Sequence, residues 1–405
     1  MTHNKWFRSL FRQRVLVALL ILLQLGFLVH VLVSGSQVSQ IFGRIMTLVS
    51  VLVALSIIRK REKSGYKLTW VFLILLFPLF GGAFYLIFSF QTSNKRLGKH
   101  AHTSPEPHTD LFYLPEDAYA RAERELPQHV PQIRYLQQFA GFPIYTGTRT
   151  RYFSPGEEFL SALLQELEKA EKYIFLEFFI IQEGEMWNSI LEILKRKAAQ
   201  GVKVRLIYDD MGCILRLPKD YPKTLEDWGI ECCVFNPFRP VLTSIQNNRD
   251  HRKIAVIDGK VAFTGGVNLA DEYINAVARF GHWKDCAVML EGKAAWSFTL
   301  IFLKMWALCR KIDEDFNQYY PWRDEPCPVS DEGFVQPYAD SPMDAENVGE
   351  HVYLQIINGA KDYVYINTPY LVIDDSMVSA LCLAAKSGVD VRIVTPKSGI
   401  SAWCT

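Results

Sequence analysis

His251 and Lys253 stand two residues apart in the stretch NNRDHRKIAVIDGKVAFTGGVNLADE, residues 247–272. On a strand, side chains two apart leave the same face. An imidazole beside an ammonium is a poor structural pair, because each lowers the other's affinity for a proton. The pair becomes favourable when an anion such as a phosphate binds between them. Asp258-Gly259 sits between two apolar runs, Ile254–Ile257 and Val261–Thr264, and signals a hairpin turn. Asp258 then serves either as a turn or ion-pairing residue or in the chemistry itself. Gly265-Gly266 breaks the second run, either as a plain loop or to let backbone approach a phosphate, with Asn268 offering amide donors. A nucleophilic histidine also needs an acid to fix its tautomer and bear the developing charge. Asp285, at the start of a strand in HWKDCAVML, and Glu177, inside YIFLEFFII, are the two acidic candidates.

Certain elements must hold these residues in place. Ser154-Pro155-Gly156-Glu157 is a helix start, with Ser154 as cap and Pro155 at the first helical position. Phe159, Leu160, Leu163, Leu164 and Leu167 make its apolar face. Residues 173–181 form a strand buried on both faces, followed by a helix from Met186 to Ala199 and a strand over residues 202–209. Residues 231–235 are a further strand, and Ala294–Leu308 is a helix whose Trp296, Phe298 and Trp306 read as core packing. The alternation is that of an α/β fold. It recurs: AEKYIFLEFFII from Ala170 matches AKDYVYINTPYL from Ala360, and AAQGVKVRLIYD matches AAKSGVDVRIVTP. Two similar halves around a pseudo-two-fold follow.

The 405 residues carry a formal net charge of +1, which gives no global nucleic-acid signature. The eight cysteines show no CxxC or Cys/His metal spacing and read as free, mostly buried thiols, which favours a reducing compartment. Val15–Val33 is long enough to span a bilayer and follows Lys5, Arg8, Arg12 and Arg14. A signal peptide is the competing reading, but no clear small-residue cleavage site precedes the next apolar run. Ile41–Ile58 and Leu68–Phe90 are further apolar runs, separated by the basic RKREKSGYK of residues 59–67. The charge pattern places the amino terminus and residues 59–67 in the cytoplasm. The third run, with Pro78, Gly81 and Gly82, fits a full crossing or a kinked, re-entrant segment. The expected layout is a membrane region over 1–91, a polar linker over 92–135, a first catalytic half over 136–330 and an incomplete second half over 331–405. The catalytic part is expected to face the cytoplasm.

The pattern His251-x-Lys253-x4-Asp258-x6-Gly265-Gly266-x-Asn268 resembles the HxKxxxxD…G(G/S)xN motif of the phospholipase D superfamily. With HWKD after it, KLTWVFLILLFPLFGG before it and the Thr368–Tyr370 TPY of the second half, the chain resembles the bacterial cardiolipin synthases as far as about Lys397. That resemblance implies a phospholipase D-like α-β-α sandwich behind transmembrane helices. It implies a phosphatidyltransferase that converts two phosphatidylglycerol molecules to cardiolipin and glycerol through a phosphohistidine, with no metal or other cofactor and no nucleic-acid partner. His251 would be the nucleophile, Lys253 and Asn268 phosphate ligands and Asp285 the orienting acid. Asp258 enters as a motif residue. Gly265, Gly266 and the lower-ranked Glu177 complete the expected site.

The family carries two HxK motifs on one chain, and this sequence holds one. SGISAWCT, after Lys397, does not resemble the family's continuation, and a stop or frame change there is the expected cause. Half a site is therefore expected, with little synthase activity, and with core surface of the second half exposed. A phospholipase D-type hydrolase and an inactive membrane protein that binds anionic lipid are the alternatives.

Overall fold

The structure, a computed structural model, describes residues 37–60, 63–77, 116–238, 248–279, 281–330, 333–341 and 346–396, with Leu22, Gly26, Val29, Gly81, Gly82 and Tyr85 besides. It divides into two compact units, residues 1–96 with 238–248, and residues 97–237 with 249–405.

In the first unit, α1 (Gln37–Ile58) and α2 (Ser64–Leu76) pack through Val53, Ala54, Ile57, Trp70 and Ile74. Val71 and Leu73 pack partly against this cluster, and further apolar side chains such as Leu48, Leu52, Leu68 and Phe72 are exposed. Among the described residues no helix is long and apolar enough to cross a membrane. The run Val15–Val33 lies outside the described residues apart from three isolated positions.

The second unit opens with α3 (Glu116–Glu125), α4 (Val130–Arg134) and a π-helical turn, Tyr135–Phe139. These helices occupy part of the segment read as a polar linker. Ala118, Ala122, Ile133 and Leu136 are buried there, because they recur at helical spacing on one face. A seven-stranded sheet follows, in the order β1 (Thr148–Phe153), β7 (Ala287–Gly292), β6 (Val261–Gly265), β5 (Lys253–Ile257), β2 (Tyr173–Phe178), β3 (Lys203–Asp209), β4 (Ile230–Phe235). β2, β3 and β4 run parallel, while β5, β6, β7 and β1 are antiparallel to their neighbours. Helices α5 (Gly156–Glu168) and α6 (Glu185–Ala199) cover one face, burying Leu163, Leu167, Trp187, Ile190 and Leu194 against it. α5 starts one residue later than Ser154 predicts, with Pro155 at the cap position. The short α7 (Asp210–Cys213) and α8 (Tyr221–Asp227) connect β3 to β4.

α9 (Ala295–Arg310) covers the opposite face with Trp296, Phe302 and Trp306, fully buried as core packing requires. The result is an α-β-α sandwich. A second, smaller α/β layer follows: α10 (Val348–Gly359), β8 (Tyr363–Asn367), α11 (Asp375–Lys386) and β9 (Asp390–Val394), with β8 and β9 parallel. The thiols depart from the expectation. The described cysteines are free, but only Cys213, Cys232 and Cys233 are buried; Cys309 and Cys327 are half-buried, and Cys286, just before β7, and Cys382, on α11, are exposed.

Candidate active site

The carboxyl ends of the parallel strands β2 and β3 carry the site, and the chain before β5 crosses them. Asp209 ends β3 and is fully buried. Its carboxylate caps α7 by accepting from the Met211 N–H, and it also accepts the Asp250 N–H at 2.9 Å and the Arg249 guanidinium at 3.2 Å. These bonds fix the segment Arg249-Asp250 directly before His251. Sequence reasoning missed Asp209. The signal available was its place at the end of a parallel strand, where α/β sheets put their ligands.

His251 is exposed, with its ring 4.8 Å from that of Phe179 just past β2. Lys253 is the cross-strand partner of Phe178 and is buried, its stem lying among Phe159, Phe178, Phe263 and Val267. Its ammonium donates to the His251 carbonyl at 2.5 Å and stands over the Phe179 ring. The two motif residues thus meet beside the Phe179 ring, although β5 begins at Lys253 and His251 lies just ahead of the strand that their spacing assumes. Partial desolvation, then the Lys253 charge, lowers the proton affinity of His251, with Asp250 opposing. Burial brings Lys253 down to about 8, against the pull of Asp250 and Asp285. Near neutral pH the imidazole is therefore free to act as a nucleophile while the ammonium keeps its proton. A bound phosphate monoanion or diester would relieve the mutual repulsion.

Asp285 and Gly266 come together in a way the sequence did not specify. Asp285 accepts from the Trp283 indole at 3.3 Å and from the Cys286 N–H at 2.8 Å. A Cβ on Gly266 would sit 2.0 Å from the Asp285 carboxylate, and one on Gly265 would strike the Cys286 carbonyl at 2.3 Å. The two glycines therefore make room for the Asp285-Cys286 segment just before β7, a use beyond the plain loop or phosphate approach that the sequence suggests. Among the described residues no hydrogen bond joins Asp285 to His251, and Asp285 acts on the pair through its field at Lys253. Asn268 is buried, accepting from the Ile180 N–H at 3.0 Å and donating to the Tyr273 hydroxyl at 2.8 Å. Its second amide hydrogen makes no hydrogen bond among the described residues.

Two expected site residues lie elsewhere. Asp258 is five residues along β5 from Lys253, about 17 Å at strand rise. Both Asp258 (φ 52°) and Gly259 (φ 66°) take the left-handed conformation of a tight hairpin turn. The Asp258 carboxylate accepts three backbone N–H groups, from Glu171, Lys172 and Tyr173, at 2.7–2.8 Å. It holds the start of β2 and has no contact with His251. Glu177 projects from β2 on the face opposite Lys253, because its cross-strand partner is Ile254. It is wholly buried and receives the Arg252 guanidinium at 3.3 Å. Among the described residues no group of His, Cys, Asp and Glu side chains is arranged to hold a metal ion.

A family model described as "Cardiolipin synthase, PLD-like domain" matches residues 163–317 and 353–404, and one described as "Phospholipase_D-nuclease N-terminal" matches 48–89. The chain is 34% identical over 363 residues to a cardiolipin synthase of Geobacillus sp. (strain WCH70), covering 88% of this chain and 72% of that protein. It is 33% identical to cardiolipin synthase 2 of Bacillus anthracis, covering 86% and 68%. A Streptococcus mutans protein named only as uncharacterized is 46% identical over 337 residues, covering 81% and 71%. Among solved structures, phosphatidylserine synthase of Haemophilus influenzae Rd KW20 aligns with a TM-score of 0.46 at 15% identity, over 65% of each chain.

Proposed function

The chain belongs to the cardiolipin synthase family of phospholipase D-like proteins, and on that premise we propose that it acts in phosphatidyl transfer, with His251 as nucleophile. The observation that carries this reading is the exposed imidazole of His251 beside the buried ammonium of Lys253, at the carboxyl ends of parallel strands. His251 forms a bond to the phosphorus of phosphatidylglycerol, and the bond to the departing glycerol oxygen breaks. That oxygen takes a proton from a general acid. The hydroxyl of a second phosphatidylglycerol then gives its proton to the same group and attacks the phosphohistidine. The P–N bond breaks, and cardiolipin and glycerol are the products. Lys253 and the remaining Asn268 hydrogen hold the phosphoryl oxygens as charge builds on them. Asp285 sustains the Lys253 charge.

The acid–base partner is a second histidine of the same motif in the family the sequence resembles. This sequence holds one HxKxxxxD. The 405 residues alone are proposed to be weakly active, since that partner contributes about 10²- to 10⁴-fold. The exposed apolar faces of α1 and α2, with Arg59, Lys60 and Lys67 beside them, support a seat in the cell membrane and contact with anionic lipid. We assign the first unit as a multi-pass anchor and the second as a cytoplasm-facing catalytic unit.

Purified protein in phosphatidylglycerol vesicles, labelled on the lipid phosphorus, tests the reading. The expected result is slow formation of cardiolipin and glycerol with an acid-labile, alkali-stable label on the protein. His251→Ala should remove that label and lower turnover by about 10²- to 10⁴-fold. Phosphatidic acid as the main product would make the protein a hydrolase. Neither product nor label would leave an inactive lipid-binding protein.

A further inference from the structure

We propose that Glu177, Asp250 and Arg252 form a neutral brace holding one proton, with Glu177 donating to Asp250, that positions His251 and ties its strand to the segment leading into the second half. The proposal rests on His251 as the reactive group, but on no measured turnover. Glu177 and Asp250 are 0% and 3% exposed and lie within hydrogen-bonding reach of each other. The Glu177 Oε2 and Asp250 Oδ2 atoms are buried without a donor, so the two acids place acceptors where only a proton between them can serve. Arg252 donates to Glu177 at 3.3 Å and to the Asp340 carbonyl at 2.8 Å.

Charge decides the protonation. Two ionised carboxylates and one guanidinium would leave a net negative charge in a dry place. Retaining one proton makes the cluster neutral. Glu177 is the proton's site: burial, then Asp250, pushes its carboxyl well above the usual range, and Arg252 opposes. The groups facing Glu177 are Asp250 and Arg252 from the approach to β5, and Cys309 from α9. Asp340 lies beyond Arg252.

The brace reaches both sides of His251 in the chain. Asp250 precedes it, with its N–H pinned by Asp209, and Arg252 follows it. The contact continues past Arg252. Asp340, whose carbonyl Arg252 grips, uses its own carboxylate to accept the Gly349 N–H at the start of α10. His251 is thereby held in register with the first helix of the second half by a chain of four residues. No side-chain hydrogen bond to the imidazole is needed for this, which fits the absence of an Asp285–His251 bond among the described residues.

The test uses the full chain in detergent micelles and no turnover, so an inactive chain would sink the functional reading and leave this one standing or falling by itself. A carboxyl raised in the folded state favours folding at low pH, and that contribution is lost as pH rises toward the folded value. The thermal midpoint of the native chain should fall between about pH 5 and about pH 8. The Glu177→Gln side chain, which imitates the protonated acid, should flatten the fall and match or exceed the native midpoint at the upper end. Asp250→Asn should flatten it too. Equal slopes in all three, or a Glu177→Gln midpoint lowered alike at every pH, would show an ordinary ionised pair and overturn the shared proton. Positioning is read with ¹³C-labelled histidine, the His251 signal being the one lost in His251→Asn. Its ring proton carries a ring-current displacement from Phe179. Glu177→Gln should leave that displacement in place. Arg252→Met should carry it toward the free-histidine value, and Arg252→Lys, the variant kept in case the first fails to fold, should shift it partway. An unmoved signal in both arginine variants would remove the positioning role.

Discussion

The two halves of the second unit start from the same local geometry and end in different environments. β2 pairs with β3 as β8 pairs with β9, and the register is the same, Tyr173 opposite Lys203 and Tyr363 opposite Asp390. Tyr173 and Phe175 meet at 4.5 Å between ring centroids, and Tyr363 and Tyr365 at 4.8 Å. Arg205 stands over the Phe175 ring, and Arg392 over that of Tyr365. The first pair lies under α9, with Phe175 stacked on Phe302, and is 3% and 0% exposed. The second pair is 63% and 52% exposed. Arg205 is buried and paired with Glu314 and Glu231, whereas Arg392 pairs with Asp390 in the open. Repeated sequence thus reproduces strand register and aromatic pairing. What makes one copy a core and the other a surface is the layer laid over it.

Substitutions at matched places test that difference most severely. Ile207→Ala should cost about 2–5 kcal/mol by emptying a packed site under α9, whereas Val394→Ala, at the matching place on β9 and exposed, should stay within about 0.5 kcal/mol. Denaturant midpoints measure both, and equal losses would mean that the β8–β9 face is covered in solution. A smaller effect is expected at the turn. Asp258→Ala strands three N–H groups at the start of β2 and should cost about 2 kcal/mol while leaving the His251 titration in place. A shifted His251 titration with unchanged stability would return Asp258 to the site.

Gly266→Ala should cost about 1–2 kcal/mol, since its Cβ would displace the Asp285 carboxylate. It should also lower the Lys253 titration, read by ¹⁵N-lysine spectra, because Asp285 helps to keep that ammonium charged. The mildest test is the pH profile of the phosphohistidine label. His251 is lowered from 6.5, so its unprotonated form persists below that value and the acid limb should lie there. The alkaline limb should fall as Lys253 loses its proton at about 8. A single limb at an ordinary histidine value would separate the two residues.

Much of this was legible in the residues. The parallel strands, the Asp258-Gly259 turn, the long apolar helix and the internal repeat follow from period, turn chemistry and β-branched or aromatic runs, all of which act over a few neighbours. The spacing of His251 and Lys253 made them near neighbours, but the strand expected to carry both begins only at Lys253. The helix α3 within residues 92–135 is less legible, because its alanine stripe is short and interleaved with charge.

The tertiary structure alone decided which acids matter and where. Asp258 sits in the motif yet ends at the far end of β5, because the strand carries it away from Lys253 at a fixed rise. Glu177 sits beside the site in the sheet yet points to the α9 face, because its register against Ile254 sets its side. Asp209, Arg249 and Asp250 converge only once β3 ends beside the crossing chain. Sequence spacing determined contacts within an element. Contacts between elements depend on which strands lie side by side and on the layer that closes over them, and no local pattern encodes either.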